Sequence, residues 1–274
     1  MAPALAGALL CLCTAAAPAL SAEEQDAQRS SSWWSLWSWI DDVFGLSFGG
    51  ITYGSGGADR IEGSDKLAHT VRAISGVRGI ELGSPIELVV KQGAVEKLIL
   101  HTDDNIAPLI ESKVDENGIL HIGLRSGANF RTRHALGATV ELKELGTIKV
   151  SGPGDVTCAE LDADRLEITL DGPGQVHIET LHSASIAVRL QGGGAVRLSG
   201  SSPKQEFLIE GGGELDAEEL VGRAVAVRDL SSGKAKIWAT ESLSVEIVGS
   251  GDVRYRGQPA LTTSLHGTGR LIHE

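Results

Sequence analysis

From Val150 onward, apolar side chains fall at every second position on both sides of a recurring glycine turn. Two residues after each turn stand Val156, Val176, Val196, Leu215, Ala235, Val253 and Leu271. Four residues after it come Cys158, Ile178, Leu198, Ala217, Ile237 and Tyr255, with His273 in the last copy. Before the turn, the pairs Ile148/Val150, Ile168/Leu170, Val188/Leu190, Phe207/Ile209 and Val245/Ile247 keep the same alternation. A period of two predicts half-buried strands rather than helices.

The turn is Gly-x-Gly, at Gly152/Gly154, Gly172/Gly174, Gly192/Gly194, Gly211/Gly213, Gly249/Gly251 and Gly267/Gly269. A weaker copy, Ser231-Ser232-Gly233, lacks the first glycine. The second glycines are spaced by 20, 20, 19, 20, 18 and 18 residues. Glycine is expected there because it accepts positive φ without a Cβ clash. A repeat of this length is too long for one hairpin step and right for one coil of a stacked parallel solenoid. The fold class is therefore all-β, a parallel β-helix of about seven coils on the order of 30 Å long. Hexapeptide helices and nonapeptide calcium rolls have the wrong period.

One coil breaks the rule. Asp229 stands where neighbouring coils place Leu, Ile or Val. Because a bare buried carboxylate is costly, a register slip that turns Leu230 inward is the expected solution. A bend or a site in mid-solenoid is the alternative.

Ahead of the solenoid (148–274) the chain divides into three parts. Residues 1–22 carry no charged side chain and read as a secretory signal peptide, although the usual basic residue near its start is missing. Residues 23–66 form a Ser/Gly-rich tract around Trp33, Trp34, Trp37, Trp39, Ile40 and Phe44, which holds four of the five tryptophans. Trp33, Trp37, Ile40 and Phe44 share a helical face. Residues 33–44 are thus a candidate for peripheral membrane or partner contact, with packing on the solenoid or a linker as the alternatives. Residues 67–147 keep strand patterns without the period and are expected to cap the solenoid. There Asp103-Asp104-Asn105 is expected to cap a short helix through Ile110, and Asp115 to Gly118 to turn a hairpin. Arg125, Arg131, Arg133 and His134 around Phe130 form the one local basic patch. At the far end, Arg270, His273 and Glu274 are expected to guard an open edge by charge, or the ends of two molecules to stack.

Composition narrows the chemistry. With 36 Asp and Glu against 24 Lys and Arg, the net charge is −12, which argues against nucleic acid. Once a signal peptide is cut, Cys158 is the only cysteine, so no intramolecular disulfide is available. It reads as a buried small hydrophobe. The histidines lack metal-ligand spacing, and each Gly-x-Gly leads into a strand, which excludes a dinucleotide fingerprint. No cofactor and no catalytic constellation are expected. Asp155, Asp171, Glu210 and Asp252 beside the turns leave a polysaccharide-active enzyme, or calcium at the turn row, as lesser readings.

Four stretches carry a family resemblance: Val71–Ile80, Val114–Ile122, Ile148–Val156 and Val248–Pro259, the last reading Val-Gly-Ser-Gly-Asp-Val-Arg-Tyr-Arg-Gly-Gln-Pro. Over about residues 71–274 the chain resembles the bacterial family called putative auto-transporter adhesin, head GIN domain. That resemblance implies an exported bacterial β-solenoid, a surface adhesin head, and offers no catalytic residues; the expected location is the periplasm, outer membrane or cell surface. The expected function is a non-enzymatic surface or envelope binding module for a glycan, protein or envelope ligand. A scaffold tethered by the tryptophan segment is the further alternative.

Overall fold

A computed structural model describes residues 51–55 and 59–274. The signal-peptide reading and the tryptophan segment lie outside these residues. Ten strands precede the repeats: β1 (Ile51–Tyr53), β2 (Ile61–Glu62), β3 (Leu67–Ala73), β4 (Gly79–Leu82), β5 (Glu87–Gln92), β6 (Lys97–Asp103), β7 (Ile110–Val114), β8 (Ile119–Leu124), β9 (Phe130–Thr132) and β10 (Gly137–Leu142). Ten more build the coils: β11 (Thr147–Val150), β12 (Asp155–Leu170), β13 (Gln175–Leu190), β14 (Ala195–Ser201), β15 (Lys204–Ile209), β16 (Glu214–Asp229), β17 (Lys234–Ile247), β18 (Asp252–Arg256), β19 (Ala260–Leu265) and β20 (Arg270–His273).

The chain is a parallel β-solenoid of about six turns, one fewer than the glycine count predicts. The last glycine pair introduces only β20, which lies on β18 without completing a coil. Pairing carries each apolar column from coil to coil in register. Leu88, Val156, Val176, Val196, Leu215, Ala235, Val253 and Leu271 form one such ladder. Ile80, Ile148, Ile168, Val188, Phe207, Val227 and Val245 form another. Nearly all of these side chains are buried, so the columns merge into one core. Beyond β5 and β4 the ladders turn antiparallel, at β6, β3 and β7. Buried Ile106 and Ala107 lie in the connection between β6 and β7, and buried Ile110 opens β7.

The two glycines of each turn do different work. Each bend takes the first glycine and the residue after it, at Gly152, Gly172, Gly192, Gly211, Gly249 and Gly267. The second glycine comes one step later, as the last residue before the strand. Gly154, Gly174, Gly194, Gly213, Gly233 and Gly251 are buried there, and Gly269 is half-buried. These seven close each turn inside the stack. Nor is φ the reason for glycine, since among the repeated glycines only Gly267 has a positive φ of the left-handed kind.

The constraint is space. A Cβ on Gly172 would lie 2.8 Å from the Gly152 carbonyl oxygen. One on Gly174 would run into the carbonyl of Gly154, one on Gly194 into that of Gly174, and one on Gly269 into that of Gly251. At Gly213 the Gly194 carbonyl oxygen would be 2.6 Å away, and at Gly251 the Asp229 carboxylate and the Gly233 carbonyl fill the place. Turns stacked at strand spacing leave no room for a side chain.

Coils of unequal length are reconciled at one corner. Within β12 and β13 the pairing skips only Ala159 and Asp164 and their partners. The coil containing Ser199–Ser202 is a residue short there, and Gly200 takes up the difference with φ +117. A larger shift between β16 and β17 brings Trp238 level with Val221. The buried lining beneath is polar: Ser183 Oγ donates to Ser202 Oγ at 2.9 Å, and Gln205 Nε2 donates to the carbonyls of Ser202 and Leu220. Gln205 thus satisfies backbone groups that the shortened corner leaves out of the ladder.

No register slip occurs at Asp229. It pairs with Ile209 and Ile247 in the inward column and is fully buried, whereas Leu230 is 38% exposed. Its Oδ1 accepts the Ser231 backbone N–H at 3.0 Å. A side-chain cap therefore organises the turn that lacks its first glycine. Oδ2 has no partner, and burial pushes the carboxyl pKa up. A carboxyl whose folded pKa is raised destabilises the fold once pH exceeds the unfolded value, and not below it.

The open end carries the expected charged groups, each turned back onto the preceding rung. Arg270 reaches back to Asp252, Glu274 to Arg254, and His273 stacks on Tyr255, while Leu261 and Leu265 are 45% and 50% exposed. The charges flank the last rung and leave its leucines uncovered. The short helix is a 3-10 turn, Ala107–Leu109, without a side-chain cap. Asp103 is not its cap, because its carboxylate is engaged elsewhere.

Two outcomes follow from the packing. Gly174→Ala should destabilise the fold by roughly 1–3 kcal/mol, measured by urea unfolding. Asp229→Asn should stabilise it by on the order of 1 kcal/mol at pH 7, and thermal melts should show the gain shrinking as pH falls through the raised folded pKa and gone below the unfolded one.

Candidate functional site: a corner groove

The corner that absorbs the length differences also carries a concave site. A groove of about 840 Å³ is lined by Glu144, Asp162, Asp164, Arg165, His182 and Ser201, among others. Gln92 holds the first rung in place: its Oε1 accepts the Asp162 N–H at 2.8 Å, and its Nε2 donates to the Asp162 carbonyl at 3.0 Å. His182 Nδ1 and Ser201 Oγ lie 3.2 Å apart. Among the described residues, the side chains of Glu144, Asp162, Asp164 and Arg165 make no ion pair, which leaves them able to bond a ligand. Sequence reading missed this site. Its only signal was a row of outward polar residues at the repeat spacing, which looks like ordinary solvated surface.

Other outward rows are neutralised by their own neighbours. Arg189 meets Glu210, Arg197 meets Asp216, Arg223 meets Glu241 and Arg228 meets Glu246 across adjacent coils. The basic patch expected around Phe130 is paired in part, with exposed Arg131 outside the pairs. Phe130 is fully buried, Arg125 pairs with Glu111, and Arg133 pairs with Asp65. Buried Asp103 accepts Thr132 Oγ1 at 2.6 Å and lies 2.7 Å from His134 Nδ1. A carboxylate taken out of water needs such partners, so these bonds anchor the segment after β9.

The acids singled out beside the turns are not brought together as a pair. Asp155 and Asp252 lie in one row with Gln175, Ala195, Glu214 and Lys234 between them. Burial raises the Asp155 pKa, whereas the Arg270 guanidinium holds Asp252 below the usual carboxyl range. Asp171 and Glu210 are separated by Gln191, whose Nε2 donates to Glu210 at 3.1 Å. Cys158 is fully buried, with its thiol 3.2 Å from the Glu160 carbonyl oxygen, and burial pushes its pKa up to about 12. A thiol so rarely ionised is a poor nucleophile.

The profile of the family described as putative auto-transporter adhesin, head GIN domain, matches residues 77–259. The chain belongs to this family. The GIN-domain match spans all the complete coils except the end of the last, together with β4 to β10. Three solved structures share the fold of this GIN-domain chain. A putative adhesin from Bacteroides fragilis NCTC 9343 is 26% identical, with a TM-score of 0.73 over 78% of this chain and 100% of its own. A putative lipid binding protein from Parabacteroides distasonis ATCC 8503 is 22% identical, with a TM-score of 0.66 over 79% of this chain and 100% of its own. A putative adhesin from Parabacteroides merdae ATCC 43184 is 21% identical, with a TM-score of 0.62 over the same shares. No curated protein matches the sequence.

Cys158 gives the site chemistry a direct check. Iodoacetamide at pH 8 should leave it unmodified in the native protein and alkylate it after unfolding, as read by mass spectrometry of its peptide.

Proposed function

We propose that this GIN-domain protein is a non-enzymatic binding module of the bacterial surface or envelope, exported from the cytoplasm. The observation that carries the reading is the corner groove, whose carboxylates and hydroxyls are presented along a rigid stack of rungs. A repeat surface of this kind suits an extended ligand, because equivalent positions recur along the axis. Similarity to the Bacteroides fragilis adhesin supports a surface role. The separated turn acids and the protonated thiol of Cys158 favour binding over catalysis.

Fractionation and protease shaving of intact cells test this reading, together with sedimentation of the purified protein with isolated cell envelopes. The expected outcome is an envelope or surface location and saturable envelope binding. A cytoplasmic location, or no envelope binding, would overturn it. Hydrolysis of a polysaccharide that is lost in Asp155→Asn would favour an enzyme instead.

A further inference from the structure

A row of outward residues runs on past the groove. Parallel pairing joins Asp162, His182, Ser201, Val221, Trp238 and Arg256 into one outward row, a residue from each successive coil. All six are exposed or half-buried. Rungs about 4.8 Å apart put roughly 19 Å between Asp162 and Trp238. Trp238 is the only tryptophan among the described residues, and it lies on the outer surface rather than in the core. Next to it, Gly257 has φ +99, and the position a Cβ would take there is 3.6 Å from Trp238 Cδ1. The indole is thus backed by main chain and keeps part of its surface in solvent.

We infer that this row is a track for a neutral polysaccharide chain lying along the solenoid axis, with Trp238 as its stacking platform and Asp162, His182 and Ser201 as its hydrogen-bonding end. The inference rests on the binding-module reading and names its ligand class. Sugar rings offer an apolar C–H face to an indole and hydroxyls to carboxylates, so they need both kinds of group on one line. Arg256, one rung beyond Trp238, adds donors for further hydroxyls. Glu144, Asp162 and Asp164 on a chain of net charge −12 disfavour a uronic-acid polymer. A protein ligand would need an apolar patch at the centre of the contact, and the only apolar rung of this row besides Trp238 is half-buried Val221.

Isothermal titration of the full chain with cellotetraose, maltotetraose and chitotetraose tests the inference, with polygalacturonate as the anionic probe. At least one neutral tetrasaccharide should bind, more tightly than its disaccharide. Trp238→Ala should weaken that binding by about tenfold or more, Trp238→Tyr should retain most of it, and Asp162→Ala should weaken it severalfold. If Trp238→Ala lowers the melting temperature, exposed Asp162 carries the same test in an intact fold. Absence of binding to every neutral probe, preference for polygalacturonate, or affinities unchanged in both Trp238→Ala and Asp162→Ala would overturn the track. Sedimentation with envelopes separates the two failures. Wild-type envelope binding that survives Trp238→Ala and Asp162→Ala removes the track and leaves the module, whereas no wild-type envelope binding removes the module.

Discussion

Everything in this fold depends on how closely one turn can lie on the next. Parallel strands stack about 4.8 Å apart, and turns held in one column must accept the same spacing. At Gly172 and Gly174 the preceding coil's carbonyl oxygens occupy the space a Cβ would need. The glycines therefore act through their missing side chains, and not chiefly through unusual φ. Once the turns are stacked, register is set for the whole coil, because a shift of one residue would turn every apolar column outward.

That constraint explains where irregularity is tolerated. Length differences cannot be taken up at the turns, so they accumulate at the opposite corner, at Gly200 and between Ala217 and Ala224. The core beneath gives up apolar residues for Ser183, Ser202 and Gln205, which bond one another and the displaced backbone. Asp229 is a second compromise. Its carboxylate supplies a cap for a turn without its first glycine, and the cost is an unpartnered oxygen in the interior. Ser183, Ser202, Gln205 and Asp229 thus bond groups in the core that an apolar side chain could not.

The same geometry sorts the outer surface. Where opposite charges fall on adjacent rungs, as at Arg228 and Glu246, they satisfy each other and leave little for a ligand. The corner row lacks that matching: carboxylate, imidazole, hydroxyl and indole succeed one another across the shortened coils. The proposed binding row and the irregularity of the repeat coincide at this corner.

Much of the fold was legible in the chain. The glycine spacing and period-two columns determined an all-β parallel solenoid, because each is a local demand repeated at every coil. The buried place of Cys158 followed from its column. Sequence alone erred where neighbours across coils decide the outcome. Gly194, Gly213, Gly251 and Gly269 read as turn residues, yet the coil stacked beneath each is what requires glycine there. Asp229 stays inward because the turn beside it needs acceptors, and Arg125, Arg133 and His134 of the basic loop meet Glu111, Asp65 and Asp103 folded against them. The last glycine pair was counted as a coil although only one strand follows it. Trp238 and Asp162 are 76 positions apart in the chain, and no sequence pattern links them, since unequal coils hide the alignment. Only the tertiary register, which carries the deletions to one corner, places them on one line.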